Sequence, residues 1–143
     1  MGIDKKLEPF KKQSMWALIG LTIVTLTFYL PFWMSKQSQI INQQLGKTFI
    51  HGSWFWVSLL ATTVSFGMIP VEIITNDAQW ALGVSNVFEK FDVLLTLIWA
   101  FKIRSGMNEL LESNSSDRNW YSGVWTFLFT VFYLQYKLNK IKG

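Results

Sequence analysis

The chain has 143 residues, half of them apolar and only 15% charged, with a formal net charge of +4, no cysteine and one histidine. Its length allows one domain, and its charge content lies well below the roughly 25% of soluble domains. The missing cysteines exclude disulfides, thiolate metal sites and thiol nucleophiles, and the lone His51 excludes a multi-histidine metal or haem site within one protomer.

Residues 1–13 form a polar, lysine-bearing tail in which Pro9 is placed to start a short helix. From Trp16 to Met34 there is no charge over nineteen residues. As a helix this run reaches about 28 Å, roughly one hydrocarbon core, so a first span is expected over about 14–34. It is too long and bulky for a signal peptide and ends in Tyr29, Phe32 and Trp33, which reads as an uncleaved anchor. Pro31 falls in its last turn and marks a kink near the membrane surface. In the polar stretch 35–52, Ile40, Ile41 and Leu45 keep helical spacing, so the helix is expected to continue until Gly46 stops it.

A second span is expected over about 54–74, with Gly67 and Pro70 tolerated in its later half. Thr75 to Asn86 then reads as a connector whose apolar middle, around Trp80, lies along the surface. Asn86 with Glu89 three places on forms a capping box. It predicts a helix from Val87 to about Glu112. Its segment 87–104, about 26 Å long from Val87 to Ile103, reads as a short third span in preference to a surface helix, with Lys102 and Arg104 snorkelling outward. A charged loop, 105–119, precedes a last span over about 120–136 and a basic tail, 137–143.

The expected fold is therefore all-α: an integral membrane helical bundle of about four transmembrane helices, the third short. Lysines flank the first and last spans, which places both termini in the cytoplasm. The connector between spans two and three fits this poorly, because it has no Lys or Arg between Ile73 and Glu89. Trp16, Trp33, Trp54, Trp56, Trp120 and Trp125 sit at the ends of apolar runs, where indole rings prefer the headgroup zone, and read as membrane-interface anchors.

The chain also resembles itself. TFYLPFWMSKQSQIIN after the first span and TVFYLQYKLNKI after the last share a threonine, FYL, a further aromatic, a lysine and an asparagine, and IWAFKIRSGMNEL is a fainter version. Aromatics followed by lysines at every membrane exit explain most of this; a genuine repeat is the alternative. The same segments resemble the uncharacterised short bacterial membrane proteins grouped as domain of unknown function 4234, over most of residues 20–140. Members of that group more often carry arginine where this chain has Lys36. The resemblance implies a bacterial inner-membrane protein and transfers no site.

Polar groups at membrane depth are few. Asp92 and Glu89 lie on one face of the third helix, and Glu72 lies near the end of the second; together they are the possible intramembrane polar site. The plainer reading is that Asp92 and Glu89 begin a helix and complement its dipole at headgroup depth. Thr22, Thr25, Thr27, Ser58, Thr62, Thr63, Ser65 and Thr96 read as packing contacts that bond back to carbonyls. His51 reads as a solvated interfacial residue. There is no phosphate loop, no nucleophile beside a base and no metal-ligand spacing, so no enzyme activity, cofactor or metal is expected. Nucleic acid is a poor fit, because the positive charge flanks the apolar runs. The expected partners are membrane lipids and other membrane-protein subunits or further copies of the chain. A small accessory or assembly subunit, or a homo-oligomer, is the leading functional reading; a small-solute or ion transporter or channel component built from oligomerised copies is the alternative.

Overall fold

The computed structural model describes residues 2–25, 28–74 and 79–142, without the side chains of Asp4, Val24, Glu72 and Ile73. Among these residues every regular element is a helix: α1 (Ile3–Leu7), α2 (Met15–Val24), α3 (Tyr29–Leu45), α4 (Ser53–Ile74), α5 (Gln79–Leu110) and α6 (Gly123–Ile141). One of them, α4 over Ser53–Val71, is long and apolar enough to cross a membrane.

The expected first span is not one helix. It breaks after α2, and α3 runs back beside it. The Gln13 side-chain amide donates to the Tyr29 hydroxyl at 3.0 Å, although a continuous helix would separate these residues by about 24 Å. The Thr25 hydroxyl promotes the break: it donates to the Leu21 carbonyl and accepts the Tyr29 N–H, so one side chain closes α2 and caps α3. Pro31 is therefore in the first turn of a new helix, where its missing N–H has no helical partner to lose. Gly46 does end α3, at φ 63 in the left-handed region.

The expected last span breaks in the same way. Thr130 has φ 44 and ψ −118 inside α6. The chain doubles back there, so that the Ser122 N–H reaches the Tyr133 hydroxyl at 3.0 Å and the Lys137 ammonium reaches the Arg118 carbonyl. The third helix departs in the opposite sense. Instead of a short span beginning at Val87, α5 has 32 residues and is the longest helix described. Asn86 and Glu89 lie inside it, so they form no capping box.

The chain thus forms three helical hairpins: α2 with α3, α4 with α5, and the two halves of α6. One device joins them. Asn42, near the end of α3, donates from its amide to the Ile50 carbonyl and accepts the Ile50 N–H, at 2.8 and 2.9 Å. Asn108, near the end of α5, makes the same pair of bonds with Tyr121, at 3.2 and 2.7 Å. Asn139, near the end of α6, makes it with Gln13, at 2.6 and 3.3 Å. Each captured residue lies just before the first helix of the next hairpin, and the third clamp returns to the first hairpin. The similarity among the three helix ends therefore has a shared geometry. It extends to the caps: Gly46 and Glu112, each four residues after its asparagine, both have positive φ, and the residue after each donates back to the asparagine carbonyl.

The second helices of the hairpins form the core. At eight, five and one residues before each asparagine the side chain is buried: Met34, Gln37 and Ile41; Ala100, Ile103 and Met107; Val131, Leu134 and Leu138. α3 and α5 approach closely at Gly106, where a Cβ would lie 2.9 Å from Ile41 Cγ1. Leu7 and Phe10 of the N-terminal tail plug this cluster from the clamped end. That end also gathers the ion pairs Lys47–Glu109 and Lys6–Glu112. Residues 6–10, Lys142 and the loops after α3 and α5 all meet there, and the end of α4 and the start of α5 lie at the other end of the long helices.

Candidate functional site

Away from the clamps, the α4–α5 hairpin carries a polar seam. Ser58, Thr62 and Ser65 recur at helical spacing on one face of α4, and Ser85, Glu89, Asp92 and Thr96 do so on α5. The antiparallel pairing sets the faces together. The Ser58 hydroxyl donates to Asp92 Oδ1 at 2.9 Å and the Thr62 hydroxyl to Oδ2 at 3.1 Å. Both hydroxyl residues are buried, and Asp92 is half-buried. Farther along, the Ser85 hydroxyl donates to the Ser65 carbonyl at 3.0 Å.

The seam forms one wall of a groove of about 660 Å³. Opposite it stands the broken part of α6, including Thr130 at the break, and Leu30 and Phe66 close the sides. Glu89 also faces the groove; it is exposed and has no hydrogen-bond partner among the described residues. No lysine or arginine lines the groove among the described residues. Its polar groups are thus two carboxylates and several hydroxyls, set among aromatic and aliphatic side chains.

This placement corrects the reading of Asp92 as a helix-start residue. With α5 beginning at Gln79, Asp92 lies in the helix interior and is held by two hydroxyls of the neighbouring helix. Glu89 joins the same groove. The Glu72 side chain, the third expected member, lies outside the described residues. Thr22, Thr63 and Ser65 bond back to carbonyls one turn earlier, as expected of packing residues. The link from Ser58 and Thr62 to Asp92 was missed. Its signal was present in the matching spacings on two helices, which a helix boundary misplaced at Val87 concealed.

The tryptophans divide. Trp16, Trp56 and Trp125 are exposed, at 81%, 68% and 52%. Trp33 is not an interface anchor but a core residue, 4% exposed, packed edge-on against Trp99 with ring centres 5.6 Å apart. Doubling back at Thr25 turns the end of the expected span inward. Trp54 packs partly against the core, and Trp120 lies beneath the Arg104 guanidinium at 5.2 Å. His51 is exposed, its ring 3.2 Å from the Ser53 hydroxyl. No group of three or more potential metal ligands occurs among the described residues.

Comparison with family models, curated proteins and solved structures found no match.

Proposed function

We propose that this is a multi-span protein of a bacterial inner membrane that performs no chemistry of its own, acting as an accessory or assembly subunit or as a homo-oligomer. One observation carries the reading: the apolar surface of α4 is left uncovered. Its window Ser53–Val71 has a mean hydropathy of 1.5, yet only 22% of it is buried. Trp56, Leu60 and Ile69 face outward there, and Phe91, Leu94 and Ile98 do so on α5. Exposing such a surface to water costs roughly 25 cal/mol for each Å², and so continuous a patch marks a lipid or protein contact. The resemblance to the bacterial group named above agrees with this reading.

The hairpin geometry also supports an orientation. Lys6, Lys142 and the loops bearing Lys47 and Arg118 meet at the clamped end, so the first residues of α5, where Lys and Arg are lacking, fall on the opposite side. The positive-inside tendency then places the clamped end in the cytoplasm, without the conflict that four full spans create. On this reading α4 and α5 cross the bilayer, while the other two hairpins enter it and return; their breaks are tolerated because they pack against protein or line the groove.

Carbonate-washed membranes should retain the chain, and release by carbonate would end the membrane reading. In spheroplasts an impermeant maleimide should label Gln79→Cys and spare Lys47→Cys; the reverse pattern would invert the orientation. Purification in mild detergent should yield an oligomer or co-purifying subunits, and a lone monomer would count against assembly.

The second reading, a transporter or channel component, is favoured by a specific observation: a carboxylate held inside a helical hairpin opposite a broken helix. Interrupted helices beside intramembrane acids recur where membrane proteins bind cargo. Flux into proteoliposomes that falls with Asp92→Asn would support this reading, and flux unchanged by that substitution would remove it.

A further inference from the structure

We infer that the groove between α4, α5 and the α6 break binds a lipophilic organic cation: an ammonium or phosphonium centre on an apolar body. The inference deepens the second reading above, but it concerns binding and stands whether or not the ligand crosses. Charge comes first. Asp92 and Glu89 both line the groove, and among the described residues no basic side chain of its walls compensates them. Asp92 is fixed rather than mobile, since Ser58 and Thr62 each hold one of its oxygens. Asp92 itself lines the groove, and each carboxylate oxygen keeps acceptor capacity beyond the one hydroxyl that it receives. Glu89 has no partner among the described residues.

The walls decide what kind of cation fits. A bare sodium or potassium ion needs a close shell of several oxygens, and this groove is too wide to supply one. Its volume, about 660 Å³, lies within the roughly 300–1,000 Å³ typical of small-molecule sites. Phe66, Phe127, Phe129 and Phe132 are among its lining residues. Aromatic faces attract a weakly hydrated organic cation and accept its apolar body, whereas a small inorganic ion would first have to shed its strongly held water.

The test uses the full chain in detergent, with tetraphenylphosphonium as probe and triphenylphosphine oxide as a neutral molecule of similar shape. Titration calorimetry should show saturable binding of the cation, and the neutral analogue should bind about tenfold more weakly or not at all. Asp92→Asn should weaken the cation by about tenfold. Because that variant also disturbs the seam, Glu89→Gln is the second arm; it removes an exposed, unpartnered charge and should weaken the cation by about threefold. No binding, equal binding of the neutral analogue, or affinities unmoved in both variants would overturn the inference. Displacement of the probe by stoichiometric sodium chloride would overturn the organic class in favour of an ion site. A carbonate-resistant protein that binds nothing would sink this inference and leave the membrane reading intact.

Discussion

The clamped end and the groove end of the molecule use the same kinds of polar side chain to opposite effect. At the clamps, each asparagine amide meets the N–H and the C=O of one residue, and donors and acceptors cancel. In the groove, hydroxyls converge on Asp92 and leave a net negative charge facing open space. An amide that satisfies both backbone groups of a residue mainly fixes position, because buried backbone groups need partners and cost free energy without them. A carboxylate held at one side and open at the other retains capacity to bind. The clamp amides thus spend their bonds inside the chain, whereas Asp92 also lines an open groove.

The sharpest way to break that division is Asn108→Ala. Asn108 is the buried member of the three clamps, and its loss leaves the Tyr121 N–H buried without its acceptor. The expected cost is about 2–4 kcal/mol, read as a fall in melting temperature in detergent. Asn42→Ala and Asn139→Ala should cost less, since both sites are partly open to water. Equal small effects at all three would show that the clamps follow the fold and do not hold it. Gly106→Ala tests the same end by shape. Its methyl group would meet Ile41 and Phe49, and the expected loss is about 1–3 kcal/mol. A neutral outcome would mean that α3 and α5 part easily.

At the groove, Asp92→Ala should cost about 1–2 kcal/mol. Ser58 and Thr62 lose their acceptor, but each hydroxyl can turn back to a carbonyl one turn earlier, as Ser65 already does. A loss as large as that of Asn108→Ala would make Asp92 a structural residue first and would weaken the division drawn here.

The helical class was legible because long uncharged runs and aromatic boundaries admit few other folds. The doubled-back hairpins were not. Hydropathy has no punctuation where an apolar helix reverses, and Thr25 and Thr130 look like any threonine in an apolar run. Pro31 was misread for a related reason: proline three residues into a new helix and proline near the end of an old one look alike without the boundary. Asn86 and Glu89 had the spacing of a cap, yet favourable packing of α5 against α4 carries the helix through them from Gln79. Trp33 obeyed the general habit of indoles at run ends until the reversal turned it inward. The clue that did point to the architecture was the repeated asparagine after each aromatic cluster. Exit chemistry accounts for lysines there, but it gives no reason for an amide.

The smallest expected effect concerns the salt link that ties the N-terminal tail to the loop after α5. The Lys6 ammonium donates to Glu112, and this hydrogen bond, with the charge of Lys6, holds the Glu112 carboxyl below its ordinary value of 4.5. A depressed folded-state pKa means that the stabilisation is complete above 4.5 and disappears as pH falls through the lower folded value. The link is solvent-exposed, with the Glu112 side chain 80% accessible, so salt screens it and its contribution is weak. The tail has stronger holds in buried Leu7 and Phe10 and in the Lys142 ammonium, which donates to the Phe10 carbonyl. Hydrogen exchange of residues 3–10, corrected for intrinsic rates, should therefore stay level from pH 7 to about 5 and rise slightly below that. In Glu112→Gln the tail should exchange at the slightly raised level throughout, with no acid step. A step of equal size in both proteins would assign the acid sensitivity to another carboxylate and leave the tail held by its apolar plug alone.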